Sequence, residues 1–340
     1  MLPQQFEHRD RRFDTQAFLE QTDTTALYVV HDGRMRYERY WRTGGPAVAW
    51  LTQSVSKSVV GTGVALTIQD GFIRSLDDPI SDYVPVLGRG GYRGIPIRDV
   101  LQMSSGIRWN EDYGDRDSDL NQFGRVLFTG KSYDAFVADR VSERASGTRH
   151  NYTGMDAQAL TMLVRAVSGR SLADYLSDRL WEPLGMEDRA YWTTDDTGVE
   201  LGLGGLCASA RDLAKLGELY RLNGIWHGRR LLSADWVRAA TRANAPHLRR
   251  GKRDESSYSM GYGYQWWLPE GDPQDYSAIG IYNQFIYVNP EAGLVVVKLS
   301  AHRDYANPAV AEPYLELQTF SLFRSIAEQV IAGCPPISAD

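Results

Sequence analysis

Period-two polarity lies at the two ends of this chain, with helical periodicity between them, an order that few architectures satisfy. Near the start, ALYVVH, the dipeptide Asp32-Gly33 and RMRYERYW read as a hairpin from Ala26 to Trp41. Near the end, YGYQWWL at Tyr262 precedes QFIYVNPEAGLVVVKLS, two strands from Gln284 to Ser300 around a turn at Asn289 to Gly293. The middle reads differently. DVLQMSSG at Asp99 to Gly106, Asp156 to Val167, and Leu172 to Trp181 carry apolar residues at helical spacing, the last closed by Pro183 and Gly185. ARDLAKLGELYRL follows, and a terminal helix from about Leu317 to Ala332 places Phe320, Phe323, Ile326, Ala327 and Val330 on one face, suited to covering a sheet. The pattern predicts an α+β fold whose mainly antiparallel sheet is assembled from both chain ends. Residues 1–75 and 201–340 are expected to form that lobe and 76–200 a mostly helical inserted one, with a cleft between them.

Composition narrows the function. With 340 residues, 43% apolar and 24% charged, the chain is long enough for a large core and too apolar for disorder. Its net charge of −6 argues against nucleic acid as a partner, and the one basic run, His247 to Arg253, reads as a solvated loop. Cys207 and Cys334 are too few for a disulfide framework or a metal site, which fits a reducing compartment. The six histidines are scattered without ligand-like spacing, so neither a metal nor another cofactor is expected. MLPQQFEHRD lacks an export pattern and no apolar run is long enough to span a bilayer, so a cytoplasmic location without membrane contact is the expectation.

The chemistry concentrates in LTQSVSKSVVG, Leu51 to Gly61. Ser54 and Lys57 are three residues apart, which on a helix puts both side chains on one face. A serine hydroxyl needs a base to become a nucleophile, and a lysine whose pKa is lowered by burial can be that base. SxxK also arises by chance as a serine cap with a solvated lysine. Against chance, the chain has five lysines and thirty-two arginines, no other lysine follows a serine by three, and Lys57 heads VVGTGVALTIQDG, a helix too apolar and glycine-rich for the surface, which stops at Gly71.

In order along the chain, SVSKS, GFIRSLDDPISDYVP, MSSGIRWNEDY, RHNYTG, LADYLSDRLWEPLGMED, GLGGLCASARDLAKLG and IGIYNQFIYVNPEAGLVVVKLS resemble the serine β-lactamase and penicillin-binding-protein superfamily. Within it the chain is most similar to the class C-like branch that holds 6-aminohexanoate-dimer (nylon oligomer) hydrolases and esterases. The resemblance implies the β-lactamase/DD-peptidase-like fold, Ser54 as acylated nucleophile, Lys57 as its base partner and Tyr152 of NYTG as proton shuttle. Ala278-Ile279-Gly280 aligns with the family's third box. There Gly280 would allow close approach, and the amide of Ile281 would join that of Ser54 in an oxyanion hole.

Two departures bear on substrate. Ala278 replaces the basic residue that usually binds a β-lactam or peptide carboxylate, and Gly154 stands where many members have asparagine. The loop after Trp109 carries Glu111, Asp112, Asp115, Asp117 and Asp119, either a solvated acidic surface or an attractor for a substrate ammonium. Tyr113 in that loop is a candidate donor to the substrate amide. Of the adjacent Trp266 and Trp267 at most one should line the cleft, and Trp266 is the candidate; His150 is expected to pack rather than react. The implied activity is hydrolysis of small linear amides or esters through an acyl-enzyme, with a homodimer as an open assembly. The alternatives are a β-lactamase-like enzyme or D-amino-acid peptidase and, on the same fold, a non-catalytic binding module.

Overall fold

The computed structural model describes residues 2–128, 130 and 132–333; Cys334 lies outside them. Thr24–His31 (β1) and Arg34–Tyr40 (β2) pair across Asp32-Gly33, both at positive φ as the tight hairpin requires. Gly261–Tyr262 (β3), Trp267–Leu268 (β4), Tyr276–Gly280 (β5), Gln284–Asn289 (β6) and Leu294–Ser300 (β7) complete a seven-stranded sheet in the order β3-β4-β5-β6-β7-β1-β2. Every neighbouring pair is antiparallel. β7 lies against β1, with Val296 opposite Val29, so the two ends of the chain meet inside the sheet.

Both faces of that sheet are covered, which is why β7 reads as the continuous run LVVVKLS rather than as an alternation. On one face Phe285 and Tyr287 meet Phe320 and Phe323 of the terminal helix Glu316–Ala332, the role expected of its apolar stripe. On the other, Ile286, Val295 and Val297 pack with Leu213 and Leu216 of Ala210–Arg221. Gly217 makes that approach possible, because a Cβ there would fall 2.6 Å from Val295.

The helix Ser56–Gln69 (α1) is buried on every side from Ser56 to Thr67, so its lysine is interior as well. It packs on Gly154–Ser168 (α2) and ends before Gly71, which takes φ +79°. Elsewhere in the middle of the chain the helices are shorter than their patterns predict. Ile97–Leu101 stops early and Met103 turns left-handed at φ 53°. The stretch from Leu172 divides into an α-turn to Leu176, a wide turn over Ser177–Trp181 and a last turn at Glu182–Leu184 that Gly185 closes.

The basic run is not a solvated loop. His247 and Leu248 are buried, Arg253 donates to the His247 and Met260 carbonyls, and Arg250 donates to Pro269 and Asp275. Those guanidiniums close off carbonyls that no strand pairs, a use that a charge count does not reveal. Among the described residues no helix is long and apolar enough to cross a membrane.

Candidate active site

Trp50–Leu51 pairs with Leu206–Ala208, and the chain then tightens into a 3₁₀ turn, Gln53–Val55, that runs straight into α1. Gln53 is held at φ 53°, a left-handed conformation that glutamine adopts only where its surroundings impose it. The turn presents Ser54 at the head of the helix. One turn on, Lys57 Nζ donates to Ser54 Oγ at 2.7 Å and to the Leu203 carbonyl at 2.6 Å. Lys57 is 1% exposed, and burial brings its pKa down to about 8 against an opposing pull from the Glu111 carboxylate. An amine in that range exchanges a proton with a serine hydroxyl near neutral pH.

Tyr152 enters from the segment before α2, which Asn151 anchors by donating its amide to the Met103 carbonyl at 2.9 Å. Its ring centroid is 5.0 Å from Lys57 Nζ, and the Ser54 side chain acts on its hydroxyl, lowering its pKa against the larger effect of burial. Trp267 stacks on that ring at 5.0 Å, while Tyr258 and Tyr262 meet it edge-on. Burial first, and then the Glu111 charge, push the phenol well above its ordinary pKa, so at neutral pH Tyr152 holds its proton. His150 packs into the same aromatic cluster with Nδ1 3.0 Å from Ser256 Oγ, and burial lowers its pKa to about 3. It is a neutral packing group.

The end of β5 passes very close to the serine turn. A Cβ on Gly280 would lie 2.4 Å from the Thr52 carbonyl oxygen and 3.1 Å from Gln53 Cβ, so only glycine allows this approach. Ile281 follows it beside Ser54 on the wall of one cavity. Gln284, the first residue of β6, fixes the turn from behind: Nε2 donates to the carbonyls of Ile281, Tyr282 and Ser300, and Oε1 accepts from the Ser300 amide. Two successive left-handed residues, Tyr282 and Asn283, are held by this network.

The cavity measures about 1080 Å³ and is lined by Ser54, Tyr152, Glu111, Tyr113, Trp267 and Ile281 among others. Trp266 is not among them. It is fully buried on the opposite face of the strand, against Tyr220 and Tyr276, and the wall belongs to Trp267, as alternation along a strand requires. Tyr113 borders the cavity and is 40% exposed. Ala278 is buried and contributes no surface to it, so that position offers the cavity no cation.

The acidic loop divides. Asp119 accepts from the Asn110 amide and from Arg140, and Asp115 accepts from Asn110 and from the Asp117 amide, so both serve the loop itself. Asp112 reaches the cavity, as does Glu111, whose Oε2 accepts from the Trp109 indole and from the Gly154 amide at 3.3 Å. Residue 154 has no side chain, and a Cβ there would stand 3.7 Å from that oxygen. Glu111 is thus the site residue that sequence reading left unresolved among its neighbours.

Residues 11–320 match the Beta-lactamase family. The chain belongs to the beta-lactamase family. It is 31% identical over 299 residues to the 6-aminohexanoate-dimer hydrolase of Paenarthrobacter ureafaciens, covering 86% of this chain and 76% of that protein. A Bacillus anthracis protein, provisionally titled a 6-aminohexanoate-dimer hydrolase, superposes with a TM-score of 0.81 at 23% identity over 96% of this chain and 85% of its own. A family VIII carboxylesterase superposes with a TM-score of 0.69 at 14% identity, over 90% and 92% of the two chains. This beta-lactamase-family protein therefore has the family's α+β fold and is a serine hydrolase.

Proposed function

We propose that this enzyme hydrolyses small linear amides and esters through an acyl-enzyme on Ser54, with Lys57 as its base and Tyr152 as its proton relay. The observation that carries this reading is the 2.7 Å contact between Ser54 Oγ and a buried Lys57 whose pKa is about 8. Substrate would enter between a lobe of residues 1–75 and 201–340 and one of residues 76–200; the cavity draws Ser54 and Ile281 from the first and Glu111, Tyr113 and Tyr152 from the second.

In the forward step the Ser54 proton passes to neutral Lys57 as Oγ bonds to the carbonyl carbon. The amides of Ser54 and Ile281 hold the developing oxyanion, for which Gly280 permits the necessary closeness. Collapse breaks the C–N or C–O bond while Tyr152 gives its proton to the leaving group and regains one from Lys57. Water then gives a proton to the same pair as its oxygen bonds to the acyl carbon, the bond from Ser54 Oγ to that carbon breaks, Oγ takes the proton back, and the acid leaves.

Substrate class follows from what the walls offer. The cavity combines aromatic walls with the acidic residues Glu111, Asp112, Glu312 and Glu316 and one arginine, Arg9, and position 278 adds no cation to bind a β-lactam carboxylate. A flexible acyl chain bearing an amine fits this chemistry, and the 6-aminohexanoate-dimer hydrolase of P. ureafaciens is the named relative of that kind. Incubation with aminohexanoate dimer, short acyl esters and a β-lactam, followed by intact-mass detection of the acyl-enzyme, is the test. Turnover of dimer and esters with mass added only when Ser54 is present is expected; a β-lactam as the best substrate would overturn the reading.

A further inference from the structure

Gln284 does not hold the Ile281 turn alone. Asn283 beside it is fully buried, sits at φ 68° and directs its side chain to three partners from elsewhere in the chain. Nδ2 donates to the Tyr314 carbonyl at 2.6 Å and lies 3.3 Å from His302 Nδ1, while Oδ1 accepts from Thr319 Oγ1 at 3.0 Å. A carbonyl only accepts, so the Tyr314 bond fixes the orientation of the amide and leaves His302 Nδ1 as the acceptor of its second N–H. Burial, the largest influence on His302, lowers its pKa and keeps that ring neutral, as an accepting nitrogen requires. Both N–H groups and the oxygen of this buried amide are thus engaged.

Those partners belong to one wall of the cavity and to its support. Tyr314, Leu315 and Glu316 line the same cavity as Ser54 and Ile281. Residues 301–315 form neither helix nor strand, so this wall takes its position from side-chain ties. Two others are the Tyr305 hydroxyl, which donates to Glu316 Oε1 at 2.7 Å, and the rings of Tyr282 and Tyr305, 5.7 Å apart. Thr319 stands in the first turn of the terminal helix, whose Phe320 and Phe323 are seated on the sheet, and its hydroxyl also reaches the Leu315 carbonyl at 2.7 Å. Through one side chain the turn after β5 is therefore joined to a wall segment and to a helix anchored in the core.

We propose that Asn283 is a positioning residue of this enzyme, its side-chain amide locking the Ile281 turn to the Tyr314 wall and to Thr319 so that the Ile281 amide stays aimed at the developing oxyanion. This rests on the reading of Ser54 and of the Ile281 amide given above. An oxyanion donor works because it is already in place when charge develops, and small freedom in the turn would erode that advantage. A left-handed residue also has a simpler explanation, since asparagine tolerates positive φ better than most residues. On that explanation the backbone alone matters and glycine, which adopts positive φ at no steric cost, would serve equally well. The side-chain bonds say otherwise, and replacement by glycine separates the two: it keeps the conformation and removes the clamp.

The test is kcat and KM on one short acyl ester across pH 6 to 9, well below each melting temperature, for the wild type, Asn283→Gly, Thr319→Val and the double variant. Asn283→Gly is expected to lower kcat by about 10-fold, less than the loss of a whole oxyanion donor, with KM changed by no more than about 3-fold. The acid limb of the pH profile, which belongs to Lys57, should stay at its wild-type position. Thr319→Val should lower kcat by about 3-fold, and the double variant should be no worse than Asn283→Gly, because both changes break one clamp. A kcat at the wild-type level in Asn283→Gly would overturn the proposal, as would a loss confined to KM, a displaced acid limb, or losses that multiply in the double variant. Should Asn283→Gly fail to fold, Thr319→Val alone must lower kcat at unchanged KM or the proposal fails. A wild type whose Ser54 takes up no fluorophosphonate would remove the Ser54 reading itself, and the proposal with it; a labelled wild type beside an undiminished Asn283→Gly would remove the proposal alone.

Discussion

Lys57 Nζ stands 2.7 Å from Ser54 Oγ in a position almost wholly closed to water. The pair is set by one helical turn and by the burial of α1 on all sides, so its geometry does not depend on a mobile loop. Replacing Ser54 by Ala is expected to abolish covalent labelling, and replacing Lys57 by Ala to lower kcat by roughly 10⁴-fold or more, because the members of such a unit act together. Lys57→Arg should fare no better, since a guanidinium does not give up its proton. Intact-mass labelling of the serine variant and steady-state kinetics of the two lysine variants on one ester substrate check all three.

Lys57 also fixes the pH dependence. On the proposed mechanism its neutral form takes the proton, so kcat/KM should rise with pH through an apparent pKa of about 8 and level off above it. A profile that is flat from pH 6 to 9 would contradict the assignment of Lys57 as base.

Tyr152 should separate amides from esters. The phenol stays protonated at neutral pH, and only an amine leaving group depends strongly on receiving that proton. Tyr152→Phe is therefore expected to lose amide hydrolysis by roughly 10²-fold or more while activated esters still acylate Ser54. Equal losses on both substrates would show the hydroxyl serving the attack instead.

Gly280→Ala tests the close approach of β5. Its methyl group would collide with the Thr52 carbonyl at 2.4 Å and push the Ile281 amide away from Ser54. A fall in kcat of about 10²-fold is expected, the scale of losing one oxyanion donor. Gln284→Ala should act in the same direction by releasing the turn from behind, and amide exchange at Ile281 would report it.

Asp156, one turn after Tyr152, accepts from Tyr92 at 2.8 Å, and burial raises its pKa to about 7. Its unfolded value is near that of a free carboxyl, about 4. The folded state thus favours the protonated form, a contribution that is full below about pH 4 and is lost as pH rises through 7. Asp156→Asn is neutral throughout, so its melting temperature relative to the wild type should improve between pH 5 and pH 8. Parallel curves would refute it.

Much of this was legible in the sequence for local reasons. The Asp32-Gly33 hairpin, the turn between β6 and β7, and the stripe of the terminal helix are written in short-range spacing. Ser54 and Lys57 were legible because three residues of helix suffice to join them. Glu111 was not, because its significance comes from Gly154, forty-three residues away, and from a cavity that exists only once the chain is folded. The tryptophan pair erred by one position: alternation says that neighbours face apart, and only the neighbouring strands say which way. Arg250 and Arg253 looked like surface charge because the carbonyls they cap are distant in sequence.

The stacking of Trp267 on Tyr152 gives the molecule an optical gauge of its own chemistry. On the proposed mechanism this indole lies against the phenol that relays protons, on the wall of the cavity that receives the acyl group, and emits according to what that phenol and that wall are doing. Its emission should change when Ser54 is acylated and recover as the acid leaves. The indole of Trp266 next to it, sealed among Tyr220 and Tyr276, should stay silent. A stopped-flow trace of wild type minus Trp267→Phe would then resolve acylation and deacylation as separate phases, without any label on the substrate.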